Sequence, residues 1–145
     1  MSLDHIPVLL EEVISHLNLK TGATVIDGTV GLGGHSRAML ERISPNGKLL
    51  GIDKDQANLE RAKNNLMDYK KQVTLVHDSY LNIKQIAYDR RFYPADAILL
   101  DLGFSSVHIE DSSRGFSFRD EGPLDMSYDQ SQELTANELI TTWSA

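Results

Sequence analysis

Apolar positions in this chain fall into short runs separated by segments with helical spacing. After a loose start over 1–6, Pro7 opens a segment in which Val8, Leu9, Val13, Ile14 and Leu17 recur on one face. Glu11 and Glu12 fall on the other face, so the spacing predicts an amphipathic helix lying on a sheet. Thr21-Gly22 reads as a turn. Strands are predicted over 24–27, over 48–52 closing on Asp53, over 73–76 and over 97–100. Helices are predicted over 34–43, where Ser44-Pro45-Asn46-Gly47 stops the run, over 56–65 and over 81–87. Strands alternating with helices imply right-handed βαβ units, hence an α/β protein with a parallel sheet and helices on both faces. The first and fourth strands are nearly continuous apolar runs, as strands buried on both faces require. Beyond Gly103 the pattern stops. Residues 104–132 are rich in Ser, Asp, Gly and Arg without a sustained period, a long loop or ordered excursion. A last helical segment is expected over 134–141. These changes divide the chain into a core, 1–103, and a second segment, 104–145.

Composition narrows the class. At 145 residues, 41% hydrophobic and 24% charged, the chain reads as an ordinary soluble globular domain. It has no cysteine, which rules out disulfides and thiolate metal sites and fits a cytoplasmic protein. No apolar run is long enough to span a bilayer, no signal peptide is visible, and no His or acid cluster has metal-ligand spacing, so neither membrane nor metal is expected. The net charge of −7 counts against strong binding of nucleic acid by this chain alone.

The stretch from Val25 to Ser36 carries the chemistry. A strand ends in Asp27, a turn containing Gly28, Gly31, Gly33 and Gly34 follows, and a helix begins beside His35. Strand, glycine turn and helix in that order form a nucleotide-type cofactor cradle: glycine lets a ligand approach the backbone, and the helix start offers free N–H groups. Each of the four strands then carries an acid at or just past its C-terminal edge, namely Asp27, Asp53, Asp78 and Asp101. That is the edge where open α/β sheets bind ligands. Any one such acid is as readily a helix cap or turn former; four in step with four strands point to a site. Asp53 lies about twenty residues past the turn, where an acid reaches ribose hydroxyls.

A dinucleotide site wants G-x-G-x-x-G/A, and here the turn ends in Ser36. Asp27 inside the turn would repel a pyrophosphate and suits a cofactor bearing positive charge. The spacing Asp27-x-Thr29-x-Gly31-x-Gly33 resembles the acid-x-Gly-x-Gly-x-Gly of class I methyltransferases, with Thr in the first glycine slot. S-adenosyl-L-methionine is therefore preferred to a nicotinamide cofactor, and a nicotinamide oxidoreductase is the weaker reading.

Several further blocks occur in one order: Pro7-Val8-Leu9-Leu10-x-Glu12, Asp27-Gly28-Thr29-x-Gly31-x-Gly33-Gly34-His35-Ser36, Gly51-Ile52-Asp53-x-Asp55, Asp101-Leu102-Gly103-x-Ser105-Ser106, Arg114-Gly115-Phe116-Ser117-Phe118 and Gly122-Pro123-Leu124-Asp125-Met126. Together they resemble the RsmH/MraW family, which methylates N4 of a cytosine in the decoding region of 16S rRNA. The resemblance implies a class I methyltransferase (Rossmann-like) fold with an inserted helical domain for substrate. It implies cofactor contacts at Gly33, Gly34, His35, Asp53, Tyr80, Asp101 and His108, and the small ribosomal subunit as partner. Two stretches depart from the family pattern: Val107-His108-Ile109-Glu110 stands where Pro-Gln-Leu-Asp is usual, and Asp125-Met126-Ser127-Tyr128-Asp129 where Asp-Met-Arg-Met-Asp is usual, so that Ser127 replaces an arginine. Family members continue for about as long again, so the sheet is expected to be truncated before its last strands. Its open edge should then pair with another chain, a homodimer included, or lean on the segment from Phe104 onward.

A cytosine amine is a poor nucleophile and needs in-line approach to the methyl and a proton acceptor. Asp101 is the candidate to orient the amine, assisted by Ser105 and Ser106. Asp101 as a purely cofactor-binding acid is an equal reading, and His35 is read as a cofactor-side packing contact. Phe104, Phe116 and Phe118 are read first as apolar core and second as a stack for a flipped base. Arg114 and Arg119 are read as phosphate contacts or surface ion pairs. The competing function is a catalytically inactive cofactor-binding fragment or binding module of the same family.

Overall fold

A computed structural model describes residues 7–143; the loose start expected over 1–6 lies outside the described residues. The chain forms two compact units, 1–101 and 102–145.

The first unit is built on four parallel strands: β1 (Thr24–Asp27), β2 (Lys48–Asp53), β3 (Val73–His77) and β4 (Ala97–Leu99), in the order β3-β2-β1-β4. The helices between them are α2 (Gly34–Ile43), α3 (Gln56–Asn65) and α4 (Ile83–Asp89), and α1 (Leu10–Leu17) precedes the sheet. Period-two alternation along each strand sends side chains to opposite faces, and the register couples Val25 to Leu49 and Ile26 to Leu50. Val25 and Leu49 accordingly join Ile14, Met39, Leu40, Ile43 and Leu66 in one buried cluster, beneath α1 and α2. Ile26, Leu50 and Ile52 join Ile86, Ala87 and Phe92 in another, beneath α4. The sheet is therefore covered on both faces. No helix among the described residues is long and apolar enough to cross a membrane.

Three expectations are corrected here. Val8 and Leu9 do not join the apolar face of α1: they are exposed, and Leu9 precedes the helix in a left-handed conformation (φ 55°) that breaks the periodicity. The helix expected over 81–87 begins as a 3₁₀ turn, Tyr80–Asn82, capped by the Ser79 side chain, and becomes α-helical only at Ile83. The fourth strand is shorter than expected and is not buried on both faces. Among the described residues it pairs only with β1, and Ile98 and Leu100 are exposed.

The second unit is short turns around a small aromatic cluster. It contains α5 (Ser106–Glu110), a 3₁₀ turn over Ser112–Arg114 and α6 (Ala136–Thr142). His108 is buried, with ring centroids 5.0 Å from Phe116 and 5.3 Å from Tyr128; Phe104 reaches Phe116 at 5.9 Å. Phe118, read as core, is 99% exposed. Arg114, read as a surface cation, is buried and donates from Nη2 to the carbonyls of Ser127 and Tyr128 at 3.1 and 3.0 Å. Five-residue α5 offers too few positions for a period to show, so it escaped the pattern; Ser105 before it, whose side chain and that of His108 cap the helix start, was its one available signal.

Candidate functional site

The glycine turn owes its shape to two glycines in left-handed backbone, Gly31 (φ 54°) and Gly33 (φ 88°). A Cβ on Gly31 would meet nothing within 4 Å, so the turn is open on that side. Gly33 serves as the N-cap of α2 and has no side chain to cap it, which leaves the first N–H groups of a ten-residue helix without an internal partner. Gly28 is required for another reason: a Cβ there would lie 2.5 Å from Leu100 Cδ2 and 3.2 Å from Tyr80 Cβ. The turn, the end of β4 and Tyr80 are thus packed against one another.

The acids separate into distinct roles. Asp27 is completely buried. Its Oδ2 accepts from the Ser36 hydroxyl at 2.7 Å and its Oδ1 from the Thr29 N–H at 3.1 Å, so it ties the turn to α2. Burial raises its pKa to about 6; the bonds from Ser36 and Thr29 oppose the rise without cancelling it. Asp53 is half-buried, and its Oδ2 accepts from the Gly31 N–H at 2.7 Å while Oδ1 accepts from the Asp55 N–H at 2.9 Å. It therefore braces the open side of the turn from the end of β2. Asp78 follows β3, its N–H donating to the Asp53 carbonyl at 3.1 Å, and its carboxylate accepts from the Ser79 N–H and Asn82 Nδ2, bracing the 3₁₀ turn that begins at Tyr80. Asp101 follows β4 with its side chain 57% exposed. The Thr29 hydroxyl accepts from its N–H at 2.7 Å, and buried His35 places Nδ1 3.6 Å from its Oδ2.

The fold thus brings Asp27, Gly31, Gly33, Gly34, His35, Asp53, Asp78, Tyr80 and Asp101 together at the C-terminal ends of the strands. Ser105, Ser106 and His108 belong to the second unit, where Ser105 caps α5 and its N–H donates to His108 Nδ1 at 3.1 Å. Two residues of the turn were not singled out from the sequence. Ser36 is the partner of Asp27, and Thr29 is the acceptor for the Asp101 N–H. Thr29 had a visible signal, since it replaces a glycine. Among the described residues no group of three or more His, Asp or Glu is placed to hold a metal ion.

A parallel sheet with a glycine turn after its first strand and acids after its second and fourth defines the class I methyltransferase fold, and solved structures share it. A crystal structure described only provisionally as an rRNA-methylase, from Clostridium thermocellum, matches with a TM-score of 0.57 at 24% identity, over 69% of this chain and 54% of that one. A protein-L-isoaspartate O-methyltransferase matches with a TM-score of 0.54 at 21% identity, over 67% and 29%. Residues 2–145 match the MraW methylase family, and the chain belongs to that family. Among curated proteins, the ribosomal RNA small subunit methyltransferase H of Dictyoglomus thermophilum is 46% identical over 141 residues, 97% of this chain and 48% of its own length. That of Acetivibrio thermocellus is 40% identical over 145 residues, 99% and 46%. The chain spans about half the length of these relatives.

Proposed function

We propose that this chain carries the S-adenosylmethionine-binding part of a methyltransferase acting on N4 of a cytosine in small-subunit 16S rRNA, in the cytoplasm where ribosomes are made. The observation that carries the reading is the grouping of an uncapped glycine turn with one half-buried acid, Asp53, and one exposed acid, Asp101, at a single sheet edge. The names of the curated relatives support small-subunit ribosomal RNA as the substrate, and N4 of a cytosine follows from the family resemblance.

The residues present fit the cofactor. S-adenosylmethionine supplies an electrophilic methyl on a sulfonium. The open face at Gly31 admits a ligand against the backbone, and the first N–H groups of α2, at Gly34 and His35, suit its carboxylate. Asp53 already accepts from backbone N–H groups and has lone pairs to accept from a ribose diol. Asp101 is the exposed anion for the cationic end of the cofactor or for the cytosine amine, where it would accept a hydrogen bond and hold the lone pair toward the methyl. Asp27, being buried, acts on the cofactor only by fixing the turn; Asp78 does so by bracing the segment that presents Tyr80. Ser105, Ser106 and His108 are kept as substrate- and cofactor-side residues on the family resemblance.

Calorimetry with S-adenosylmethionine and its demethylated product tests the cradle. Asp53→Ala should weaken binding by about 1.5–3 kcal/mol, the range for a hydrogen bond to a charged group. Affinity equal to that of the unmodified chain removes Asp53 from the site, and no binding by the unmodified chain removes the reading. A second reading, a non-catalytic binding module that dimerises through β4, is favoured by the exposure of Ile98 and Leu100 at that edge. Sedimentation giving a stable monomer eliminates it.

A further inference from the structure

The end of β4 is tied to the glycine turn and to the start of α2 by three contacts. The Gly28 N–H donates to the Leu99 carbonyl at 2.9 Å, the Thr29 hydroxyl accepts from the Asp101 N–H at 2.7 Å, and His35 Nδ1 lies 3.6 Å from Asp101 Oδ2. The first merely continues the β1–β4 ladder. The other two converge on one residue from two elements, the turn and the first turn of α2. Among the described residues no further hydrogen bond or ion pair holds Asp101, and the residues that follow, Leu102 to Phe104, are exposed. A carboxylate in that position ordinarily samples several staggered rotamers.

The hydroxyl at residue 29 is not needed to make the turn, because the class pattern has glycine there. His35 is buried. We infer that Thr29 and His35 clamp Asp101: Thr29 fixes its backbone, and the His35 ring stands against its carboxylate. The acid then stands in one orientation at the mouth of the cradle before any ligand arrives, and binding does not have to order it. Thr29 and His35 are positioning residues. The inference rests on reading Asp101 as the acid that faces cofactor or amine.

The test compares Thr29→Val, which keeps the shape but loses the acceptor, with Thr29→Ser, which keeps the acceptor, each with and without Asp101→Ala, in the full chain. Amide hydrogen exchange by NMR reads the clamp directly, and calorimetry with S-adenosylmethionine reads its consequence. Thr29→Val should speed exchange of the Asp101 amide by at least about tenfold, since its hydrogen bond is gone. It should also raise the Kd for S-adenosylmethionine about 3–10-fold, the span of one ordinary hydrogen bond. Thr29→Ser should restore both to within about twofold, and with Asp101→Ala already present Thr29→Val should leave Kd within about twofold, because the effect passes through the carboxylate. Unchanged Asp101 exchange in Thr29→Val overturns the clamp. So does an equal loss of affinity in the Asp101→Ala background, which would mean that Thr29 shapes the turn itself. Thr29→Ala is the second variant without a hydroxyl, and equal exchange in it and in Thr29→Ser also overturns the clamp. Failure of the unmodified chain to bind cofactor removes the cofactor reading, whereas the Asp101 exchange rate decides the clamp in either case.

Discussion

Asp27→Asn should make the protein more stable at neutral pH, and the gain should disappear in acid. Asp27 is fully buried with a pKa raised to about 6, against 3.8 for an ordinary aspartate. Between pH 4 and 6 the folded chain therefore holds a proton that the unfolded chain has released. Raising pH through this window costs the folded state stability, in contrast to a salt-bridged aspartate with a depressed pKa. About two pKa units at 1.36 kcal/mol each give a penalty of about 3 kcal/mol, complete above pH 6 and absent below pH 4. Asparagine occupies the same volume, its carbonyl can accept from the Thr29 N–H, and its amide can donate to the Ser36 hydroxyl once that rotates. Other acids titrate in the same range, so the quantity to measure is the difference between variant and unmodified chain in urea unfolding at pH 4, 5, 6 and 7.5. That difference should grow by about 3 kcal/mol in favour of the variant from pH 4 to 7.5. A flat difference would refute the reasoning and mean that Asp27 ionises normally despite its burial.

The second unit offers two further tests. Gly115 has φ 72°, and a Cβ there would lie 2.2 Å from the Pro123 carbonyl oxygen, so Gly115→Ala should destabilise this unit by roughly 3 kcal/mol or more, seen as early loss of near-UV aromatic signal on heating. Arg114→Met removes two buried donors while keeping the bulk, and should cost about 2–4 kcal/mol in urea unfolding through the unpaired Ser127 and Tyr128 carbonyls; a cost under about 0.5 kcal/mol, the range of ordinary surface positions, would place this arginine outside the fold's support. For the chain as a whole, acids outnumber cations 21 to 14, and RNA affinity is carried largely by cations. Methyl transfer to unmodified small subunits should run at least about tenfold below that of a full-length relative, a gap of roughly 1.4 kcal/mol, and turnover inside that margin would contradict the charge argument.

The parts of this fold most legible in the sequence are those bounded by residues with a mechanical reason to stop an element. β1, α2 and α3 lie over the predicted residues because Asp27, Gly33 and Asp55 end or cap them, Asp55 accepting from the N–H groups of Ala57 and Asn58. Where the boundary rests on hydrophobicity alone the reading drifts: Val8 and Leu9 look like the first turn of α1 and are solvent-exposed, and the apolar run 97–100 looks buried but lies at an edge. Arg114 and Phe118 exchange their expected places for a related reason. Burial of a guanidinium depends on carbonyls thirteen and fourteen residues away, and nothing at the level of composition anticipates them.

The same distinction runs through the candidate site. Residue type and position along the strands were enough to place Asp27, Asp53, Asp78 and Asp101 at one edge, because parallel strands of similar phase end together. What each carboxylate meets was not legible, because it depends on partners remote in sequence: Ser36 for Asp27, Gly31 for Asp53 and His35 for Asp101, whose backbone N–H is in turn held by Thr29. Four acids that look equivalent thus separate by burial and by bonding. One is sealed inside and shapes the turn, one braces it, one ties down the next segment, and one keeps an exposed carboxylate. Asp27 still ionises at neutral pH, at a cost to stability, but burial seals its carboxylate away from a ligand, whereas β4 delivers the Asp101 carboxylate to solvent. Asp53 and Asp101 are therefore the carboxylates within reach of a ligand, and Asp27 acts from beneath by fixing the turn.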